Sequence, residues 1–153
     1  MTVSAEEPCG VLISNGLATM GFALPAAIGA AMIDDARPTI AFTGDGGLLM
    51  CVAELRTAAR EQVPVRVIVF DDQTLSLIKV KQQQRGYATR GVAMGMTRWE
   101  HIGAAFDVPT RVTTDDASLT AALCETLTHR GPVLIAAQIS ADTYEPTLRA
   151  LRG

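Results

Sequence analysis

The 153-residue sequence is poor in charged and aromatic residues, which make up 19% and 5% of it, and its net charge is only −3. A weakly acidic chain of this kind offers no electrostatic basis for binding nucleic acid or an anionic membrane. It also contains no apolar run near the roughly 20 residues that a membrane-spanning helix needs. Its first eight residues lack the basic start and apolar centre of a signal peptide. We therefore expect a soluble, cytoplasmic protein.

Cysteines are also few: Cys9, Cys51 and Cys124 lie far apart and form no CxxC pair. Such a set is typical of reduced, structural thiols in a cytosolic protein. Hydrophobic residues, in contrast, make up 48% of the chain, which is enough for a substantial core. The length suits one domain, so we expect residues 1–153 to form a single domain. The low charge indicates either elements that are buried on both faces or additional apolar surface that other subunits cover.

Short apolar segments alternate with longer amphipathic ones, a pattern typical of an α/β fold with a parallel sheet flanked by helices. The predicted strands are residues 11–13, 39–43, 64–70, 111–113 and 132–139. The predicted helices are residues 21–32, 48–61, 99–106 and 117–129, with a turn at 34–38 and a long loop at 80–97. Ligands bind at the carboxyl ends of the strands in such sheets, so we expect a site in the segments that follow the strands.

Acidic residues follow two successive predicted strands. Asp45 lies in a Gly-Asp-Gly-Gly turn after one strand, and Asp72 comes 27 residues later, after the next. A right-handed crossover brings both strand ends to the same sheet edge, so the two carboxylates can converge there. Oxygen ligands suit a hard cation such as Mg²⁺ carrying a phosphorylated ligand. Gly46 and Gly47 also open a helix whose free N–H groups favour phosphate.

Other phosphate-binding patterns fit the sequence poorly. It contains neither GxGxxG nor GxxxxGK[ST], and its only lysines are Lys79 and Lys81. A GDG turn alone is weak support for a site, because acidic residues at strand ends are common. The complete pattern is more specific: a strand, GDG, a helix, a second apolar strand and then an acidic pair.

The stretch GDGGLLMCVAELRTAAREQVPVRVIVFDDQTLSLI resembles the thiamine diphosphate motif, which begins with GDG and ends about 30 residues later, usually in Asn-Asn. The upstream stretch SNGLATMGFALPAAIGAAM resembles the segment that precedes this motif in the acetolactate synthase and benzoylformate decarboxylase family. The resemblance covers roughly residues 13–140. It implies a thiamine diphosphate-binding fold, with thiamine diphosphate and Mg²⁺ as cofactors. It also implies an enzyme, a lyase or transferase acting on a small 2-oxo acid.

The resemblance also implies roles for individual residues. Asp45, Asp72 and the carbonyl of Thr74 would ligate Mg²⁺, and Met20 would be the catalytic fulcrum that bends the cofactor. The diphosphate would bind the N–H groups of Gly46, Gly47 and Leu75 to Leu77, and the carbonyl of Ala18 would accept from the aminopyrimidine. The full set implied to bind the cofactor is Ala18, Thr19, Met20, Gly44, Asp45, Gly46, Gly47, Asp72, Thr74, Leu75, Ser76 and Leu77. The substrate pocket would include Leu77, Ile78 and Lys81.

The sequence departs from the family pattern in three respects. Asp71-Asp72 replaces the usual Asn-Asn, which should preserve metal binding because a carboxylate is a good Mg²⁺ ligand. Lys81 stands where acetolactate synthases have a tryptophan, which argues against acetolactate synthesis itself. The pyrimidine-binding domain, with its activating glutamate, is absent. We therefore expect a hetero-oligomer with a pyrimidine-binding subunit or domain; Met1 slightly favours a naturally split enzyme over a fragment. The alternative is a non-catalytic subunit that binds cofactor or partner only for assembly or regulation of such a complex.

Overall fold

The computed structural model describes residues 10–34, 36–146 and 150. Cys9, residue 35 of the predicted turn and the first eight residues lie outside the described residues. Four strands form one parallel sheet: β1 (Thr39–Gly44), β2 (Val65–Asp71), β3 (Thr110–Thr113) and β4 (Val133–Gln138). Their order across the sheet is β1-β2-β4-β3. The helices are α1 (Ala23–Ile33), α2 (Asp45–Cys51), α3 (Glu54–Arg60), α4 (Ser76–Gln84), α5 (Trp99–Ala105) and α6 (Asp116–Thr126), followed by a 3₁₀ turn at Ala141–Thr143.

Side chains of β2 alternate between two apolar clusters, because successive residues of a strand point to opposite faces of the sheet. Val65, Val67 and Val69 lie in the larger cluster, which contains residues of α1, α2, α3 and α5. Ile68 lies in the smaller cluster, where Ala122 represents α6. The expected α/β fold, a parallel sheet flanked by helices, is confirmed. Within the described ranges, no helix is long and apolar enough to cross a membrane.

One face of the sheet is incompletely covered near β1. Ile40 and Phe42 are 39% and 43% exposed, although both lie on a strand. Phe42 stacks on the ring of Phe70 in β2 with a centroid distance of 6.1 Å. An apolar strip along β1 therefore remains in contact with solvent.

The buried Arg66 of β2 connects the sheet to the end of α6. Its guanidinium group donates to the carbonyls of Thr126 at 2.8 Å and Leu127 at 2.9 Å, and also to those of His129 and Gly131. Burial lowers the pKa of Arg66. The carbonyl groups at a helix carboxyl end lack helical partners and carry partial negative charge, so this cation stabilises the end of α6.

Three predicted elements differ from the structure. Residues 11–13 form no strand and are exposed, because no strand in the described part of the chain pairs with them. Residues 80–84, predicted to be loop, complete α4, because Lys and Gln are good helix formers even without an apolar stripe. The helix predicted over 48–61 begins earlier, at Asp45, and divides into α2 and α3 at Val52–Ala53.

Candidate cofactor site

The carboxyl ends of β1 and β2 lie side by side and bring the predicted acidic residues together. Gly44 of β1 is paired with Phe70 of β2, so Asp45 follows β1 next to the Asp71–Asp72 pair. Asp45 is only 5% exposed. Its pKa is raised mainly by burial and further by the charges of Asp72 and Asp71, while the N–H of Gly46 opposes the rise. The structure thus confirms that these carboxylates converge.

Each of the two carboxylates among the three predicted metal ligands has one satisfied and one unpaired oxygen. Asp45 Oδ1 accepts from the N–H of Gly46 at 2.7 Å, and Asp72 Oδ1 accepts from the N–H of Thr74 at 3.0 Å. Asp45 Oδ2 and Asp72 Oδ2 are buried without a hydrogen-bond partner. A buried polar atom left unpaired costs stability, and two anionic oxygens at one edge fit a divalent cation.

Asp71 has a different role, which sequence reasoning did not find. It is 3% exposed, and its Oδ2 accepts from Nε1 of Trp99 at 2.8 Å. Its Oδ1 accepts from the N–H of Gln73 at 3.1 Å, and Gln73 has a positive φ of 60°. Asp71 therefore fixes the turn that positions Asp72 and Thr74.

A short segment at 92–94 supports this turn from its other side. The N–H of Met94 donates to the carbonyl of Gln73, and the N–H of Leu75 donates to the carbonyl of Val92, both at 2.8 Å. Ala93 forms an antiparallel bridge with Thr74. This pairing lies inside the segment predicted to be loop, and the glycine-rich sequence there gives no periodic signal for it.

The hydrogen bonds alter the expected pattern of donors for a diphosphate. The N–H of Leu75 donates to the carbonyl of Val92, and the N–H of Ser76 donates to the carbonyl of Thr74, both at 2.8 Å. The N–H of Gly46 is used by Asp45. Among the described residues, the N–H of Leu77 has no acceptor. The expectation that Leu75 and Ser76 offer free N–H groups is therefore not met in this structure.

Close packing explains the glycines of the GDGG turn. A Cβ at Gly46 would lie 2.6 Å from Leu75 Cδ2 and 3.0 Å from Met20 Cε, and one at Gly47 would lie 2.7 Å from Thr43 Oγ1. The side chains of Met20 and Leu75 thus both pack closely against Gly46. The predicted fulcrum is therefore next to the predicted diphosphate site.

An open cleft of about 1220 Å³ runs along this sheet edge. Every residue expected to bind the cofactor lines it, and so does Ile78 of the expected substrate pocket. Lys81 does not line it and is exposed one turn further along α4. Tyr144, which sequence reasoning missed, also lines the cleft, and its pKa is raised by burial and then by the charges of Asp72 and Asp45.

Comparison with known proteins places this geometry in a family. Residues 1–137 match the profile described as "Thiamine pyrophosphate enzyme, C-terminal TPP binding domain". The chain belongs to this family. It is 38% identical to the acetolactate synthase isozyme 1 large subunit of Escherichia coli K12 over 141 residues. This aligned region covers 90% of this chain and 25% of that protein. The isozyme 2 large subunit of the same organism is 31% identical over 146 residues, or 94% of this chain and 26% of that protein.

Two solved structures share the fold. Benzoylformate decarboxylase from Polynucleobacter necessarius superposes with a TM-score of 0.76 at 22% identity, covering 80% of this chain and 24% of that one. A thiamine diphosphate-dependent 4-hydroxybenzoylformate decarboxylase from Rhodococcus jostii RHA1 superposes with a TM-score of 0.75 at 24% identity, covering 79% and 23%. The chain thus spans about a quarter of the length of these relatives.

Proposed function

We propose that this chain is a component of a thiamine diphosphate-dependent 2-oxo acid decarboxylase or carboligase, in which it holds Mg²⁺ and the cofactor diphosphate. The observation that carries the proposal is the pair of buried, unpaired oxygens of Asp45 and Asp72 at one sheet edge, in a chain of this family. When bound, the cofactor supplies a nucleophilic carbon and an electron sink for cleavage of the substrate's carbon–carbon bond.

In this proposal, the chain's own residues anchor the Mg²⁺ ion and orient the cofactor. Asp45 and Asp72 ligate Mg²⁺ through their unpaired oxygens, and the Thr74 carbonyl, which already accepts from Ser76, uses its second lone pair. Met20, whose side chain packs beside Gly46, would support the bent form of the cofactor.

The substrate side of the site is proposed to lie on α4. Leu77 and Ile78, each 43% exposed, present apolar surface at the cleft. Lys81 lies one turn further on, so it would act at the entrance and not beside the reacting carbon. Exchanging Leu77 and Ile78 should therefore change the ranking of 2-oxo acids more than exchanging Lys81. An unchanged ranking in all three variants would contradict this arrangement.

We also infer that the complete site requires a pyrimidine-binding subunit or domain; if that part is a separate subunit, the enzyme is a hetero-oligomer. Among the described residues, no glutamate lines the cleft to activate the pyrimidine. Met20, Leu77 and Ile78 are more than two-fifths exposed at its mouth, and Ile40 and Phe42 expose the apolar strip on β1. Exposed apolar surface of this kind marks protein contacts. The purified chain with Mg²⁺ and thiamine diphosphate should not turn over 2-oxo acids, and robust turnover by a monomer would contradict the inference.

Calorimetric titration of thiamine diphosphate in the presence of Mg²⁺ tests the metal and diphosphate roles. Asp45→Ala and Asp72→Ala should each weaken binding by at least ~2 kcal/mol, because a charged partner of the ligand is lost. Asp116→Ala, an exposed acidic change in α6, is the matched control and should bind normally. Unchanged affinity in both site variants would overturn the assignment.

The second candidate function is a non-catalytic subunit that binds cofactor for assembly. The lack of a glutamate in the described cleft lining favours it as much as it favours a partner-dependent enzyme. Turnover by the complex with its partner separates the two functions. Activity that disappears with Asp45→Ala supports the enzyme, whereas unchanged activity supports the assembly role.

A further inference from the structure

Ser76 has a buried hydroxyl group that nothing in the described part of the chain satisfies. The residue is 6% exposed, and its Oγ has no hydrogen-bond partner. Its backbone N–H is already used by the carbonyl of Thr74. Buried hydroxyl groups are almost always paired, because an unpaired one costs stability. The hydroxyl of Ser76 therefore needs an explanation outside the fold itself.

Helix capping does not explain it. Ser76 is the first residue of the nine-residue helix α4, and the preceding Leu75 is its N-cap without any side-chain hydrogen bond. A serine at a helix start commonly accepts from a backbone N–H of the first turn. No such bond forms here, and the nearby N–H of Leu77 has no acceptor either.

The unpaired atoms of the cleft are complementary to one kind of ligand. Ser76 Oγ is a potential donor, and it does not donate to the unpaired oxygens of Asp45 and Asp72, which line the same cleft. A cation would satisfy the two carboxylates, and an anionic oxygen bound to that cation would accept from the hydroxyl. The positive end of α4 favours the same anion.

Resting on the function proposed above, we propose that the Ser76 hydroxyl donates a hydrogen bond to a phosphate oxygen of the Mg²⁺-bound diphosphate. Ser76 thereby binds the diphosphate through its side chain, because its N–H already donates to the carbonyl of Thr74. The neighbouring Leu77 donates its free N–H to the same diphosphate. Ser76 is a binding residue for the diphosphate and is not required for the fold.

The test uses the 153-residue chain and inorganic pyrophosphate with excess Mg²⁺, a probe that contains the diphosphate and no pyrimidine. Titration calorimetry should show binding by Ser76→Ala weakened about 10- to 100-fold, the size expected for one hydrogen bond to a charged group. Ser76→Cys, which keeps the size but is a weak donor, should also bind weakly. Ser76→Thr, which keeps the hydroxyl, should retain more affinity than either.

A second readout separates binding from structure. Because Ser76 Oγ has no partner in the fold, Ser76→Ala should leave the melting temperature of the ligand-free chain unchanged or raise it. Ser14→Ala is the matched control: Ser14 also lines the cleft and makes no hydrogen bond with any residue that the structure describes, so this variant should bind pyrophosphate like the wild type.

The outcomes distinguish this inference from the function on which it rests. Wild-type affinity in Ser76→Ala, with binding lost in Asp45→Ala, would overturn the role of Ser76 and leave the proposed function standing. A ligand-free melting temperature that falls in Ser76→Ala would make the residue structural and would overturn it too. No binding of Mg²⁺ pyrophosphate by the wild type would overturn both.

Discussion

Replacing Asp45 with asparagine should stabilise the ligand-free protein while removing its response to Mg²⁺ and diphosphate. The carboxylate is buried, its Oδ2 is unpaired, and the charges of Asp72 and Asp71 lie close enough to raise its pKa. Asparagine keeps an oxygen for the N–H of Gly46 and removes the charge. Removing one buried charge, together with its repulsion from Asp72 and Asp71, is worth about 1–2 kcal/mol. In a chain of this length, that corresponds to a melting temperature about 2–8 °C higher.

The sign of this effect depends on pH. Because the folded-state pKa of Asp45 is raised, folding favours its protonated form. Its contribution to stability is therefore fully present below the usual carboxyl pKa of about 3.9 and is lost as the pH rises through the raised value. The advantage of Asp45→Asn should be greatest at neutral pH and should vanish near pH 3.

Urea unfolding followed by circular dichroism measures these differences, in EDTA and then with Mg²⁺ and pyrophosphate. Bound ligand should stabilise the wild type and not Asp45→Asn, because only a folded state that binds is stabilised. Asp71→Asn is the control at the same sheet edge. Both oxygens of Asp71 accept hydrogen bonds, so this variant should lose about 1–3 kcal/mol. Lower stability of Asp45→Asn in EDTA at neutral pH, or equal stabilisation of both proteins by ligand, would refute the reasoning.

Three further predictions concern other parts of the molecule. Trp99→Phe removes the N–H that donates to Asp71, so it should lower the free energy of unfolding by about 2 kcal/mol and weaken pyrophosphate binding. Unchanged binding in calorimetry would contradict the role of this pair in shaping the turn. Arg66→Met leaves the last carbonyls of α6 unpaired and should cost about 3 kcal/mol in urea unfolding, whereas the exposed Arg111→Met should change stability by less than about 0.5 kcal/mol. Met20→Ala, assayed with the partner present, should reduce turnover far more than cofactor affinity; equal losses would make Met20 a packing residue only.

The central strands β2 and β4 could be predicted because they are short runs dominated by apolar residues, as in PVLIAAQI, which are typical of a strand buried on both faces. The convergence of Asp45 and Asp72 followed from the topology of the crossover alone. Prediction failed where structure depends on a distant partner. Residues 11–13 have strand-like composition but no strand to pair with in the described chain, and α4 has no apolar stripe because it covers little core.

The free backbone N–H groups of the site were harder to predict than its carboxylates. The family resemblance implied that the N–H groups of Leu75 to Leu77 bind the diphosphate. It could not reveal that the 92–94 segment takes the first of them or that the Thr74 carbonyl takes the second. Hydrogen bonds between segments 17 residues apart depend on the path of the glycine-rich loop, which has no periodic signal. The buried hydroxyl of Ser76 becomes visible only once these bonds are assigned.

The two adjacent aspartates show how one residue type acquires opposite functions. Along β2, the odd-numbered residues Val65, Val67 and Val69 face the cluster that contains Trp99, and Asp71 continues that row. Strand alternation therefore directs Asp71 toward the indole, where both of its oxygens are satisfied. Asp72 lies one residue beyond the strand and keeps an unpaired oxygen in the cleft. Under the proposed function, the hydrogen bonds of Asp71 hold the turn in which Asp72 would be positioned for a cation, in spite of the cost of its unpaired oxygen.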